Sequence, residues 1–203
     1  MATLFFLLSV LLLLVLSILF FVRLMRHKPV KAILIKAVAL IICYTLIWMI
    51  CWFRRADTSV SLGTDICFDD WCASITGVEK GPDIQNEFSS LAADSNWVVL
   101  DVKMSNHARG IAQKPSEPRI HIIDSNGKFW AYSKRGQHLA ETKSGKQPDL
   151  DQRLELHQSL ETKMVFSLPK TVQEFKILIE EGPFITQILF PEDRSVYYIK
   201  DNK

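Results

Sequence analysis

The sequence predicts two transmembrane α-helices followed by an all-β domain, and three observations lead to this fold class. Two long apolar runs occupy the N-terminal quarter of the 203-residue chain. No Asp or Glu precedes Asp57, so every acidic residue lies in a separate C-terminal part. From Cys72 onward the apolar residues recur mostly at every second position, which is typical of strands with one buried face.

The first apolar run, residues 3–22, consists almost entirely of Leu, Phe, Val and Ile. About 20 residues at a helical rise of about 1.5 Å cross a hydrocarbon core of about 30 Å. The alternative interpretation is a cleaved signal peptide. No basic segment precedes the run and no small-residue cleavage motif follows it, which favours a transmembrane helix.

The second apolar run, residues 32–53, has Lys36 near its start and Trp48, Trp52 and Phe53 toward its end. A lysine at this position can extend toward the headgroups, and aromatic residues favour the membrane interface. The alternative is a buried core helix of a water-soluble protein. Such a helix usually has a polar face, and this run has none.

Flanking charges predict the orientation of the two spans. Most basic residues lie in or next to the segment between the spans: Arg23, Arg26, Lys28, Lys31 and Lys36. The pair Arg54 and Arg55, after the second span, favours the opposite orientation. The excess places the linker in the cytoplasm and both chain ends outside. The predicted organisation is therefore a membrane anchor over residues 1–56, a polar tether over 57–64 and an extracytoplasmic β domain over 65–203.

The charge balance of the C-terminal part argues against nucleic-acid binding. Seven of the 24 Lys and Arg residues precede Asp57, which leaves 17 against all 22 Asp and Glu. A nucleic-acid-binding domain needs a basic surface to neutralise phosphates, and this part of the chain is mildly acidic.

The four cysteines divide into two pairs. Cys43 and Cys51 lie within the second apolar run and are expected to be small apolar residues of a membrane helix. Cys67 and Cys72 bracket four residues that would bring the cysteines together if they form a hairpin turn, and we therefore predict a disulfide. Free buried thiols and a metal site are the alternatives, and no pair of histidines at zinc-finger spacing accompanies them.

The alternation of apolar and polar residues predicts the strands of the β domain. Residues 97–104 place Val98, Leu100, Val102 and Met104 on one face, and residues 118–134 read as a hairpin around a turn at 124–127. Further strands are predicted at 162–168 and 175–179, with a final hairpin from 185–190 to 196–199. Helical turns are expected near 84–93 and 149–156, and a mobile loop over 136–148. Seven or more short strands indicate a sandwich or a barrel.

Two of these stretches resemble a known family. Residues 96–106 (NWVVLDVKMSN) and 160–169 (LETKMVFSLP) are similar to the two best-marked strands of a bacterial immunoglobulin-like family of unknown function, related to a mycobacterial secreted immunoprotective antigen. The segment 67–72 (CFDDWC) resembles the entry segment of some membrane-tethered members. The resemblance implies an immunoglobulin-like antiparallel β-sandwich and brings no catalytic residues. This chain has His157-Gln158-Ser159 where the family often has glycine.

The sequence contains only weak candidates for catalytic or ligand-binding residues. The pair Asp69-Asp70 could bind a cation or act as acid and base, but a hairpin turn explains it better. The four histidines of the β domain are scattered along it: His107, His121, His138 and His157. Of these, His121 is expected to face solvent. Nucleophile-elbow and nucleotide-binding motifs are absent. Three tryptophans are expected to fill the core rather than form a binding surface; these are Trp71, Trp97 and Trp130.

The sequence therefore favours a non-enzymatic interaction module without cofactor, metal or catalytic residues. It would be held at the outer face of a bacterial inner membrane by two spans, with the lipid bilayer and an unidentified protein or envelope component as partners. One alternative is an accessory subunit of a membrane complex, in which the spans make the main contacts. Another is a hydrolase or metal-dependent enzyme, which would need Asp69, Asp70 and a histidine brought together.

Overall fold

The computed structural model describes residues 2–26, 29–68, 70–80, 82–91, 95–182 and 194–199. They belong to two compact units. The N-terminal unit contains helix α1 (Ala2–Met25) and helix α2 (Lys31–Arg54). At 24 residues each, these helices are about 36 Å long.

Both helices are long and apolar enough to cross a membrane, by length and composition. Their apolar side chains are mostly exposed: Leu8 is 63% and Phe53 80% exposed to solvent. Residues of both helices, including Phe20 of α1 and Ala37 of α2, line a shared crevice. The prediction of two apolar helices at the N-terminus is confirmed, with bounds close to 3–22 and 32–53.

The second unit is a β-sandwich of two sheets. The five-stranded sheet has the order β1-β9-β8-β5-β6 and the four-stranded sheet the order β2-β3-β4-β7. The strands are β1 (Asp57–Val60), β2 (Ile66–Phe68), β3 (Trp71–Glu79), β4 (Ser95–Asn106), β5 (Arg119–Asp124), β6 (Phe129–Trp130), β7 (Ser159–Pro169), β8 (Phe175–Glu180) and β9 (Arg194–Ile199). Two short helices, α3 (Pro82–Phe88) and α4 (Lys134–Ser144), complete the unit.

The core between the sheets follows the alternation of the sequence. Val98 and Leu100 of β4 are fully buried together with Ile122 of β5 and Ile177 of β8. The remaining apolar positions predicted for the buried face of β4, Val102 and Met104, belong to the same cluster. The predicted strands at 97–104, 162–168 and 175–179 and the hairpin at 118–134 are confirmed. The first half of the predicted final hairpin, residues 185–190, lies outside the described residues.

Strand β1 corrects two predictions. Residues 57–60, predicted as part of a polar tether, form an edge strand that pairs in parallel with β9, so the sandwich is not purely antiparallel. The side chain of Asp57 fixes this strand, because its carboxylate accepts hydrogen bonds from Lys176 Nζ at 2.8 Å and Arg194 Nε at 2.9 Å. Burial alone would raise the pKa of Asp57, but these two cations outweigh it and lower the pKa below its usual value.

Helix α4 corrects the prediction of a mobile loop over residues 136–148. Ser133 caps the helix, since its hydroxyl accepts a hydrogen bond from Gly136 N at 3.2 Å. Leu139 and Ala140 then pack against a second, smaller core on the outer face of the four-stranded sheet. The helical turn predicted near 149–156 was also wrong. This segment instead forms a turn and an isolated bridge between Leu154 and Gln113.

The second core gives the four-stranded sheet a covered outer face. Its buried members are Phe88 of α3, Trp97 and Val99 of β4, and Val165 of β7. The rings of Phe88 and Trp97 stack with centroids 5.2 Å apart. Apolar residues on both faces of β4 are therefore buried, which explains why Trp97-Val98-Val99-Leu100 is an unbroken apolar run.

Tyr197 of β9 ties the segment before β2 to the sheet. Its side chain is fully buried, and its hydroxyl donates a hydrogen bond to the carbonyl oxygen of Thr64. Burial raises the pKa of the Tyr197 phenol to about 12. The phenol is therefore held neutral in the folded chain over a wider pH range than in the unfolded chain, where its pKa is about 10.

We expect the alkaline stability of the sandwich to depend on Tyr197. Between pH 10 and 12 the unfolded chain is stabilised by ionising this phenol and the folded chain is not. Stability should therefore fall through that window by about 2 to 3 kcal/mol for this group. Urea midpoints measured from pH 8 to 11.5 should show the loss in the wild type. Tyr197→Phe should be about 1 kcal/mol less stable at pH 8 and should lose less stability above pH 10.

The neighbouring Tyr198 provides the control, because its side chain is 42% exposed. Tyr198→Phe should retain the alkaline loss of the wild type. Equal alkaline losses in Tyr197→Phe and the wild type would contradict the assignment to Tyr197.

Candidate functional site

The outer edge of strand β7 is closed by side-chain amides. Gln137 Nε2 of α4 donates to Lys163 O at 3.0 Å, and Gln137 Oε1 accepts from Val165 N at 3.1 Å. Gln147 Oε1 accepts from Lys163 N at 3.3 Å, and Ser133 N donates to Val165 O at 2.7 Å. Each backbone group would otherwise be available to another strand, so these contacts protect a long edge strand.

A cleft of about 530 Å³ opens beside this edge. Its walls come from helix α4, the segment 147–151 and the residues before β5, with β7 at its base. Most of the residues that line it have polar side chains. Four carboxylic acids line it, Glu117, Glu141, Asp149 and Asp151, together with Lys134, Lys163, His138 and the aromatic ring of Tyr132.

The cleft lining carries more unpaired negative than positive charge. Lys163 Nζ lies 2.7 Å from a carboxylate oxygen of Glu79 and 2.9 Å from one of Asp101, outside the acids that line the cleft. Hydrogen bonds to Glu79 and then to Asp101 raise the pKa of Lys163, so its charge is already compensated. Asp151 pairs with Lys114 at 3.1 Å. Among the described residues, Lys134 is then the main lining cation without an ion pair, and it faces the other three carboxylates.

One lining residue has an unusual backbone. Glu117 has a φ of +49°, a left-handed conformation that favours glycine or asparagine. It directly precedes Pro118, where β5 is about to begin. The strained residue is therefore also one of the acids that the cleft presents to solvent.

The predicted disulfide is present. Cys67 and Cys72 are paired across the β2–β3 hairpin with Cα atoms 3.9 Å apart. The rings of Phe68 and Trp71, the next pair toward the turn, stack with centroids 4.9 Å apart. Cys43 and Cys51 are free and exposed on α2.

Removing the disulfide with Cys67→Ser and Cys72→Ser together should lower the free energy of unfolding by about 2 kcal/mol. The bond closes a loop of only six residues, so the entropy that it removes from the unfolded chain is small. Urea unfolding followed by tryptophan fluorescence would measure the change in the detergent-solubilised chain. Cys43→Ser with Cys51→Ser is the matched control and should leave the midpoint unchanged. If adding a reductant left the urea midpoint of the wild type unchanged, the result would contradict this prediction.

The acidic pair at the hairpin is only partly described, because Asp69 lies outside the described residues. Asp70 Oδ2 accepts a hydrogen bond from Gln113 Nε2 at 2.9 Å, and its carbonyl oxygen accepts one from His107 N at 2.8 Å. Both contacts tie neighbouring loops together. The described part of the pair thus has a structural role.

The histidines do not gather at one place among the described residues, and His138 shares the cleft with its four carboxylates. His107 Nε2 lies 3.0 Å from Ser105 Oγ, but both residues lie at the end of β4 outside the cleft. His138 lines the cleft, and His121 lies on β5. Among the described residues, no group of three or more His, Cys, Asp or Glu side chains could hold a metal ion.

His121 departs from its predicted solvent-facing position. Its ring is partly buried, with Nδ1 inaccessible and without a hydrogen-bond partner among the described residues. The ring meets Phe129 edge to face, with centroids 5.9 Å apart. Burial lowers the pKa of His121, which favours the neutral ring.

Trp71 and Trp130 pack in the main core as predicted, whereas Trp97 lies in the second core on the outer face of the four-stranded sheet. Trp71 is 4% and Trp97 2% exposed, and the partly buried Trp130 packs against the main core. Trp71 Nε1 also donates to Glu181 Oε1 at 2.6 Å.

The cleft does not follow from the predicted elements. Most of its residues lie in segments that were predicted as a mobile loop or a helical turn, 136–148 and 149–156. Two features of the sequence could have indicated helix α4, which forms one wall of the cleft. They are Ser133 as a helix cap and Leu139-Ala140 as a short apolar stripe.

Comparisons with known proteins find similarity at the level of structure. No family model matches the sequence, and no curated protein matches it either. An uncharacterised β-sandwich protein of Clostridium difficile is 14% identical, with a TM-score of 0.46 over 72% of this chain and 97% of that chain. The secreted protein MPT63 of Mycobacterium tuberculosis is 9% identical, with a TM-score of 0.44 over 70% of this chain and 98% of that chain.

A functionally unknown protein of Listeria monocytogenes is 12% identical, with a TM-score of 0.44 over 70% of this chain and 84% of that chain. All three neighbours are bacterial proteins, and MPT63 is a secreted one.

Proposed function

We propose that this protein is an envelope-anchored interaction module. Helices α1 and α2 cross a bacterial inner membrane and hold an immunoglobulin-like β-sandwich outside the cytoplasm. The sandwich binds a protein or another envelope component there, and no enzymatic activity is assigned to it.

The observation that carries this proposal is the pair of exposed apolar helices that precedes a disulfide-bonded sandwich. In water, helices with apolar side chains exposed along their length would be strongly unfavourable, whereas a bilayer covers them. Arg23, Arg26 and Lys31 lie around the connection between the helices, which favours a cytoplasmic location for this connection. The Cys67–Cys72 disulfide fits an oxidising compartment on the other side.

Reporter fusions at the C-terminus test the orientation. A reporter that is active only after export should be active there, and a reporter that is active only in the cytoplasm should be inactive. The reverse result would overturn the extracytoplasmic placement.

Crosslinking in native membranes tests whether the sandwich binds the partner. The full chain and a chain lacking residues 1–56 should yield the same crosslinked protein if the sandwich is the binding unit. Loss of the crosslink in the shortened chain, while that chain stays folded, would favour the accessory-subunit alternative.

A further inference from the structure

The amides that close the edge of β7 make the same contacts as a neighbouring strand. A peptide group offers one N–H donor and one carbonyl acceptor, and the Gln137 side chain presents the same two functions to Lys163 O and Val165 N. A single side-chain amide costs less to displace than a continuous strand, because it is not held by neighbouring pairs along a backbone. The edge is thus covered by groups that an added strand could replace.

One position on this edge is already open. Lys163 and Val165 direct their backbone N–H and C=O groups away from β4, since these groups bond the glutamine amides and Ser133. Alternation along a strand gives Glu161 the same outward direction. Within the part of the chain that the structure describes, no hydrogen bond closes the outward groups of Glu161. An added strand could therefore begin to pair there and continue toward Lys163.

The charge of the cleft selects among extended chains. Glu117, Glu141 and Asp149 line the space beside this edge without ion pairs among the described residues, and Lys134 is the main uncompensated cation. An incoming segment with Lys or Arg would be attracted, and one with Asp or Glu repelled. Side chains in a strand alternate, so every second residue would face these carboxylates.

We propose that the cleft binds an extended, basic polypeptide segment, which adds as a strand to the outer edge of β7 and displaces the Gln137 and Gln147 amides. This inference rests on the proposed function and specifies its partner. Backbone pairing with β7 provides the affinity, and the carboxylates select for basic side chains.

A binding assay with defined peptides tests the proposal on the full chain in detergent micelles. The probe is a fluorescein-labelled, end-blocked octapeptide of alternating Lys and Thr, followed by anisotropy. We expect saturable binding of this peptide and none of the matched peptide of alternating Glu and Thr. A Lys-Thr peptide with N-methyl groups on alternate backbone nitrogens should bind about tenfold more weakly, because it lacks the donors for pairing. Equal binding of the methylated peptide would overturn strand addition.

Variants of the cleft locate the site. Glu117→Gln and Asp149→Asn should each weaken binding of the Lys-Thr peptide about three- to fivefold, as expected for one exposed ion pair. Glu155→Gln and Glu174→Gln remove exposed charges outside the cleft and are the matched controls, which should leave binding unchanged. Equal affinity in the cleft variants and the controls would overturn the proposed site.

The same variants separate this inference from the proposed function. If the native partner still crosslinks to the sandwich at unchanged yield in the Glu117→Gln, Asp149→Asn double variant, the interaction module stands and the cleft is not its site. Loss of that crosslink, with unfolding midpoints preserved, supports both.

Discussion

Replacing Asn106 by leucine is expected to lower the free energy of unfolding by about 4 kcal/mol, the largest effect of any polar substitution that we predict. Asn106 ends β4 and is 2% exposed. Its Nδ2 donates to Ile111 O and to Leu154 O, each at 3.0 Å, and its Oδ1 accepts from Ala108 N at 2.8 Å. One amide thus connects three points on two loops.

Leucine has the same branched side-chain skeleton as asparagine, with a larger volume, but can make none of these bonds. Ala108 N and Ile111 O would lose the partner that Asn106 provides, whereas Leu154 O keeps its bond from Gln113 N, and each unpaired buried group costs about 1 to 3 kcal/mol. Urea unfolding of the detergent-solubilised chain measures the loss. Asn126→Leu is the matched control, since Asn126 is exposed in the β5–β6 turn, and it should change stability by less than about 0.5 kcal/mol. Similar losses in both variants would contradict the role of Asn106.

Truncating Trp97 to alanine should destabilise the sandwich by about 3 to 5 kcal/mol, as expected for a buried aromatic side chain. Trp97 lies at the centre of the second core, against Phe88 of α3 and beside Gly136 of α4. A Cβ at Gly136 would lie 2.9 Å from Trp97 Cζ3, so the ring and helix α4 are in close contact. The variant should therefore loosen both helices as well as lower the urea midpoint.

Limited proteolysis provides a second readout of this variant. Cleavage within α4 should become faster in Trp97→Ala at urea concentrations where the sandwich is still folded. Tyr132→Ala removes an aromatic ring that is 42% exposed, and it is the control, with little expected change in either measurement. Unchanged cleavage of α4 in Trp97→Ala would mean that the second core does not hold this helix.

The parts of the fold that follow from local pattern were predictable. The alternation of Val98, Leu100 and Val102 reports one buried face directly, because side chains in a strand point to opposite sides. The Cys67–Cys72 pair was predictable for a similar reason, since a short hairpin sets the register of its two strands. The apolar helices followed from length and composition alone.

The parts that depend on distant partners were not predictable. Strand β1 has only four residues, most of them polar. It forms because it pairs with β9 and because its Asp57 binds the cations Lys176 and Arg194. Helix α4 has a narrow apolar stripe whose contribution depends on the apolar outer face of β4, which it helps to cover. The cleft forms only when helix α4 and the 147–151 segment are both in place, because only then do their carboxylates face a common space.

The burial of β4 on both faces has a consequence for how the sandwich opens. Its inner face lies in the main core, its outer face in the second core, and β3 and β7 pair with it on either side. Exposing its amides to solvent requires both cores to separate, which amounts to global unfolding. Amide hydrogens of β4 should therefore exchange with deuterium more slowly than those of the edge strands β1 and β6. Slowest exchange would thus identify β4 as the last strand to lose its structure.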